Sequence, residues 1–261
     1  MSRQNYYKAK TSRSRRQVDE EAVLGLVRRE RALQPRLGVR KLHTWLSEEW
    51  ASMGVAIGRD RLFELLGRHG LLLRRKKRRT RTTDSRHGFR VYANLLLDLA
   101  PTRAHEAWVS DITYLRTDEG WLYLSLISDA YSRQIVGYEV SESLSATGSL
   151  QALEMAIAQL PPGPCPLHHS DRGVQYCCRA YITRLEATGI AISMTEENHC
   201  YENAQAERLN GILKEEYGLG DGFRTRRQAI RAVAEAIGLY NTRRPHTSLG
   251  YRTPSTVHKA A

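Results

Sequence analysis

The stretch Leu167-His168-His169-Ser170-Asp171-Arg172-Gly173-Val174-Gln175-Tyr176 sets three chemistries side by side. Two histidines offer imidazole ligands for a metal. A serine beside a histidine offers the parts of an acyl-transfer pair. An aspartate followed two residues later by a glycine offers a carboxylate on a turn. Which of these applies depends on what else in the chain can meet them.

A zinc site would draw on Cys165, His168, His169, Cys177, Cys178, His199 and Cys200. Cys165-x-x-His168 is one chelating pair. No second pair has finger or ribbon spacing, and the adjacent Cys177 and Cys178 chelate poorly. Ser170 lacks the Gly-x-Ser-x-Gly elbow of a nucleophile, and neighbours on a strand point to opposite faces, so His169 does not meet it. Asp171 is different, because two further carboxylates lie in similarly marked surroundings. Asp111 sits in Trp108-Val-Ser-Asp-Ile-Thr-Tyr114, and Glu207 in Asn203-Ala-Gln-Ala-Glu-Arg-Leu-Asn-Gly-Ile-Leu-Lys214. Singly, each reads as a cap or a surface charge. Together they suit phosphoryl transfer assisted by Mg²⁺, with Mn²⁺ able to substitute. Such ions prefer oxygen ligands, keep several waters and accept substrate phosphate oxygens. Two ions per site would clamp the attacking and leaving oxygens of an in-line displacement. Lys214 suits a DNA phosphate at the edge of such a site.

The elements that must position these side chains follow from periodicity. Ala107–Leu115 and Trp121–Ser128 alternate as strands, and Asp118-Glu119-Gly120 joins them in a hairpin. Gln134–Val140 reads as a third strand. A helix over 145–160 stops at Pro161-Pro162-Gly163-Pro164, and Cys165–His169 reads as a fourth strand. A helix over 176–188 ends at Gly189, a fifth strand covers Ile190–Met194, and helices cover 203–217 and 225–241. This order predicts an α/β fold, a mixed five-stranded sheet with helices on both faces. Asp111 falls midway along the first strand, where aspartate is a poor strand former. Asp171 falls just past the fourth strand, where ligands gather, and Gly173 is expected to turn the chain away from it. On the glutamate helix, Leu209, Ile212 and Leu213 cluster opposite Glu207, while Asn203, Asn210, Gly211 and Lys214 share its side. Glu207 is therefore expected at the rim of the sheet. Asp129 reads either as a support for the carboxylates or as a turn residue. Trp108 and Trp121 read as core aromatics. Arg243, Arg244 and His246 read as DNA contacts, with Pro245 fixing the chain between them.

The charge is unevenly placed. The 261 residues carry a net charge of +12, yet residues 1–104 hold 25 Lys/Arg against 10 Asp/Glu and residues 105–261 hold 15 against 18. A basic front portion points to a polyanion, with nucleic acid the leading partner. Helical patterns over 19–33, 39–50 and 59–69 resemble a helix-turn-helix unit, in which Arg40 and Lys41 are basic contacts. In Arg74-Arg75-Lys76-Lys77-Arg78-Arg79-Thr80-Arg81, seven of eight residues are basic. Such a run repels itself, reads as an extended linker and is expected to order on a phosphate backbone. The organisation is then a helical DNA-binding domain at 1–73, a basic linker at 74–104, and a catalytic core with a C-terminal helix and tail at 105–261. No apolar run reaches the length of a membrane span and no signal region opens the chain. The cysteines lack a framework spacing, so a cytoplasmic setting is expected.

At these motifs the chain resembles the second-frame (OrfB) proteins of insertion-sequence elements of the IS-three group. Their catalytic core is similar to retroviral integrases, of the DDE type with a ribonuclease H-like fold. The resemblance rests on Trp108–Tyr114, His169–Tyr176, Asn203–Glu216 and Tyr240-Asn-Thr-Arg-Arg-Pro-His246-Thr-Ser-Leu-Gly-Tyr251. It rests also on the 35 residues between Asp171 and Glu207, on Lys214 seven residues after Glu207, and on Leu37–Leu42. It covers roughly residues 37 to 257. The resemblance implies a transposase whose Asp111, Asp171 and Glu207 hold the metals. It would cut one strand at an element end, and the freed 3′-hydroxyl would attack a second phosphodiester. It further implies a homo-oligomer on DNA, a bacterial nucleoid setting and an upstream first-frame partner protein. One departure stands out. The loop commonly reading Ser-x-x-Gly and then Asp-Asn is here Thr195-Glu-Glu-Asn198-His-Cys-Tyr-Glu202-Asn203. The rival expectation is a catalytically inactive DNA-binding protein or repressor from a decayed element, which intact carboxylates argue against.

Overall fold

The computed structural model describes residues 20–73, 89–97, 99–196 and 203–260. The chain divides into two compact units, Met1–Lys76 with Pro245–Tyr251, and Lys77–Arg244 with Arg252–Ala261. The short Pro245–Tyr251 segment thus groups with the first unit. The basic run from Arg74 to Arg81 lies outside the described residues.

The first unit contains α1 (20–33), α2 (Val39–Ser52) and α3 (Arg59–Arg68). Each contributes one apolar stripe to a shared core of Val23, Leu24, Val27, Leu42, Leu46, Trp50, Leu62, Leu65 and Leu66. Burying such stripes, rather than helix propensity, is what stabilises helices this short. Phe63, although apolar, is 54% exposed. It lies one residue off the Leu62–Leu65–Leu66 face, on the solvent side of the helix.

The second unit holds a five-stranded sheet in the order β3-β2-β1-β4-β5. Its strands are β1 (Ala107–Thr117), β2 (Gly120–Asp129), β3 (Ile135–Ser141), β4 (Leu167–Ser170) and β5 (Ala191–Met194). β1, β2 and β3 form an antiparallel meander, with Thr117 opposite Gly120 across a two-residue turn. β4 adds parallel to β1, and β5 parallel to β4. Parallel neighbours need crossovers. These are supplied by α4 (Ala146–Ile157), α5 (Val174–Cys177) and α6 (Arg179–Ala187). The single helix expected over 176–188 is two, because Cys178 takes an extended backbone (φ −69°, ψ 148°) and caps the second. After β5 come α7 (Ala204–Glu216), α8 (Arg226–Thr242), and α9 (Pro254–Lys259).

The period-2 alternation along β1 sorts its side chains onto two cores. Leu115, with Leu122, Leu124 and Leu126 of β2, packs against Leu209, Ile212 and Leu213 of α7 and Val233 and Ile237 of α8. Trp108, with Ile127 and Val136, packs against Ala152, Leu153 and Ala156 of α4 and Tyr181 and Leu185 of α6. Helices therefore cover both faces, as expected, and the predicted stripe of α7 is the buried one. Trp108 is fully buried, but Trp121 is 45% exposed near the hairpin tip, edge-on to Tyr114. Among the described residues no helix is long and apolar enough to cross a membrane.

Candidate active site

Asp111 lies on the α7 face of β1, opposite Leu126 in the β2 register. It keeps part of its surface open but is closely enclosed. Its Oδ1 accepts the Ile112 backbone N–H at 2.8 Å, and its Oδ2 accepts Nδ2 of Asn210 at 2.7 Å. Burial, then the charge of Asp171 and, more weakly, that of Glu207 push the Asp111 carboxyl up to about 7. The two hydrogen bonds oppose that shift. A carboxylate crowded by others and short of solvent is the arrangement that a cation relieves.

Asp171 follows the last residue of β4, just past the end of the β1–β4 ladder at the Val109–His169 pair. Ligand sites in such sheets collect at strand ends near a change of connection. The Gly173 N–H donates to Asp171 Oδ1 at 2.9 Å. Gly173 does not serve by an unusual backbone, since its φ of −61° and ψ of 143° suit any residue. It serves by leaving room, because a Cβ there would come within 3.0 Å of Asp171 Oδ1. Tyr176, fully enclosed nearby, has its hydroxyl pushed up first by burial, with Tyr181, Asp111 and Asp171 adding to the shift.

Glu207 lies in the first turn of α7, where the helix N-terminus favours a negative charge. It is exposed, while Leu209, Ile212 and Leu213 of the same helix are buried. The structure therefore brings Asp111 and Asp171 together and sets Glu207 near enough to act on Asp111. Among the described residues no three His, Cys, Asp or Glu side chains form a ready metal cage.

The donor set fits a hard divalent cation. Mg²⁺ is commonly held by one or two carboxylates, with waters and substrate phosphates completing its shell, so a preformed three-ligand cage is not required. Oδ1 of Asn210, beside Asp111, is buried and has no hydrogen-bond donor among the described residues. A hydrated cation at Asp111 would supply one.

The histidines of the opening stretch belong to the packing. His168 Nε2 lies 2.7 Å from Ser110 Oγ and 3.0 Å from Tyr181 Oη, and burial holds its pKa down at about 3. His169 Nδ1 meets Ser193 Oγ at 2.8 Å on the other face. Cys165, Cys177 and Cys178 are free thiols, and Cys200 and His199 lie outside the described residues. Asp129 takes the turn reading. It is fully buried and accepts from Ser132 N and Oγ, each at 2.7 Å, and from His105 N at 2.7 Å.

The sequence missed Asn210, whose signal was only its shared side with Glu207. Arg244, read from the sequence as a DNA contact, has a partner within the fold. That residue is 2% exposed, and its Nε and Nη2 grip Glu216 at 2.7 and 2.8 Å. A guanidinium held this way ties the chain just past the end of α8 to α7. His246 is likewise buried. Arg40 is exposed, and Lys41, Lys214 and Arg243 are half-buried.

Two stretches, residues 101–200 and 188–254, match family models described as the integrase core domain. The chain is 37% identical to a 31 kDa protein of insertion element IS600 from Shigella sonnei, over 99% of this chain and 95% of the relative. It is 33% identical to the transposase InsF for insertion sequence IS3A from Escherichia coli (strain K12), over 80% of this chain and 73% of the relative. In fold it is similar to a chain of the simian T-cell lymphotropic virus intasome solved with PP2A regulatory subunit B56 gamma. That match has a TM-score of 0.52 at 16% identity and covers 85% of this chain and 74% of the other.

Proposed function

Since the chain belongs to the integrase-core family of insertion-sequence transposases, we propose that it cuts DNA at the ends of its element and joins those ends to new DNA. The observation that carries this reading to particular residues is the proximity of Asp111 and Asp171 at the end of the β1–β4 ladder, with Glu207 near enough to act on Asp111. In the first step a water oxygen bonds to phosphorus as the bond from phosphorus to a 3′-oxygen breaks, freeing a 3′-hydroxyl. In the second, that hydroxyl attacks another phosphodiester, loses its proton to solvent, and displaces that ester's own 3′-oxygen.

Asp111, Asp171 and Glu207 would hold two Mg²⁺ ions, with Mn²⁺ as a substitute. Bound there, the ions supply Lewis-acid charge at the attacking and leaving oxygens. The protein's share is to hold the carboxylates. Asn210 orients Asp111, and the Gly173 N–H orients Asp171. Lys214, two turns along α7 from Glu207, would meet a DNA phosphate at the edge of the site. Arg40, Lys41 and Arg243 would contact the duplex backbone, together with the run Arg74, Arg75, Lys76, Lys77, Arg78 and Arg79. Joining two ends requires two bound sites, so the working form would be an oligomer on DNA, aided by a first-frame protein.

The test is direct. The purified chain is incubated with a labelled duplex taken from the end of its element, in Mg²⁺, in Mn²⁺ and in EDTA. The reading predicts nicks at the element end and joined products in either cation, and neither in EDTA. DNA binding without products in both cations would favour the inactive DNA-binding rival.

A further inference from the structure

The hydrogen-bonded ladder between β1 and β4 ends at Val109–His169. The carbonyl of the next β1 residue, Ser110, accepts Nδ2 of Asn203 at 3.0 Å. Asn203 is 4% exposed and is the residue that caps α7. An asparagine in that place ordinarily turns its side chain back onto its own helix. Here it makes no such bond and reaches across to the strand instead. On the opposite face, the Ser110 hydroxyl is held by His168 Nε2, which also meets Tyr181 Oη. All four residues are buried. The main chain is thus gripped from both faces at the residue before Asp111.

Asn203 and Asn210 are seven residues apart, two helical turns, and so share one face of α7. Asn203 holds Ser110 and Asn210 holds Asp111, and Glu207 lies between the two ties. We propose that Asn203 is a positioning residue, which pins the first turn of α7 to β1 and so fixes Glu207 against Asp111. This rests on the reading of Glu207 as a site carboxylate. Asn203 acts through that carboxylate and through the strand, not on the substrate. With the tie gone, the helix keeps its anchor at Asn210 and its apolar stripe, but its first turn is free to lift. Displacements of about 1 Å at a reacting centre can cost on the order of 100-fold in rate.

The test uses the full chain. Asn203→Asp keeps the shape but removes the donor, since an ionised carboxylate only accepts. Asn203→Gln keeps the donor, and Glu207→Gln is run in parallel. Single-turnover cleavage of the element-end duplex in Mg²⁺, the Kd for that duplex, and hydrogen exchange along the chain are measured for each. The expected result is a roughly 10- to 100-fold slower cleavage by Asn203→Asp at unchanged Kd. Exchange should quicken only in the first turn of α7, and Asn203→Gln should recover part of the rate. If Asn203→Asp cleaves at the wild-type rate while Glu207→Gln does not cleave, the positioning role is wrong and the acidic site stands. Faster exchange across the whole sheet would likewise overturn it, as a role in general stability. If Glu207→Gln cleaves normally, the acidic site falls and this role falls with it.

Discussion

The side-chain amide of Asn210 donates to Oδ2 of Asp111 at 2.7 Å, so α7 and β1 meet at a carboxylate whose ionisation the fold resists. Burial comes first in that resistance, Asp171 second, and the Asn210 amide works against both. Asn210→Ala removes the opposing bond, and Asp111 would keep its proton to higher pH. The acid limb of the cleavage rate profile is expected to move up by about one pH unit, the scale of a hydrogen bond to a charged group. An unchanged limb would mean that Asp111 ionisation does not govern the rate.

The same shift has a consequence for stability. The folded-state pKa of Asp111, about 7, lies above its ordinary value of 3.8. The stability it contributes is fully present below about pH 4 and is lost as pH rises through about 7. In EDTA, the Tm of the wild type should therefore fall across that window. Asp111→Asn should melt several degrees higher than the wild type at pH 8, and Mg²⁺ should narrow the difference. Thermal melts with and without the cation would check this, and equal Tm values in EDTA at pH 8 would contradict it.

Arg244 is expected to matter for folding rather than for DNA. Its pair with Glu216 is buried on the arginine side, 3% against 20% exposed, and removing the guanidinium takes two charge-assisted hydrogen bonds from Glu216. Arg244→Ala should cost about 3 kcal/mol in a urea titration. Under conditions where the variant is folded, its DNA affinity should match the wild type. A normal urea midpoint with weakened binding would restore the DNA reading.

These two residues also mark how far the sequence could be read. Alternation and the Asp118-Glu119-Gly120 turn were enough for the meander and the mixed sheet, because the period of apolar residues and the turn chemistry are local. Asp111 and Asp171 stand out in the sequence because both defy their local surroundings, one mid-strand and one at a strand end. Asn203 and Asn210 do not, since helical spacing gives a side of α7 but not what that side meets. The tie of Arg244 was not legible either, because its partner, Glu216, lies 28 residues away in α7. Trp121 and Phe63 are exposed for a simpler reason. An apolar type does not compel burial at a hairpin tip or on a helix flank.

Gly173→Ala tests the space beside Asp171. The backbone there tolerates alanine, so Tm should change little. The new Cβ would crowd Asp171 Oδ1 at 3.0 Å and Gln175 Oε1 at 3.3 Å. Cleavage should slow by roughly 10-fold through a shifted carboxylate, read from single-turnover rates beside a thermal melt. Wild-type rates would show that the carboxylate moves without consequence.

The basic run from Arg74 to Arg79 is expected to act on affinity alone. Each side chain that neutralises a phosphate should contribute about 0.9 to the slope of log K against log salt. Replacing these six residues with serine should flatten that slope by several such steps, in fluorescence anisotropy titrations across salt. The cleavage rate at saturating protein should hold. An unchanged slope would leave the run a plain tether.

The central claim is that Asp111, Asp171 and Glu207 form one cation-dependent site for cutting and joining DNA. The most direct measurement compares wild type with Asp111→Asn, Asp171→Asn and Glu207→Gln on the element-end duplex in Mg²⁺, scoring binding, cleavage and strand transfer together. The account predicts retained binding and loss of both reactions in every variant. Cleavage and strand transfer at wild-type levels in the three variants would contradict it.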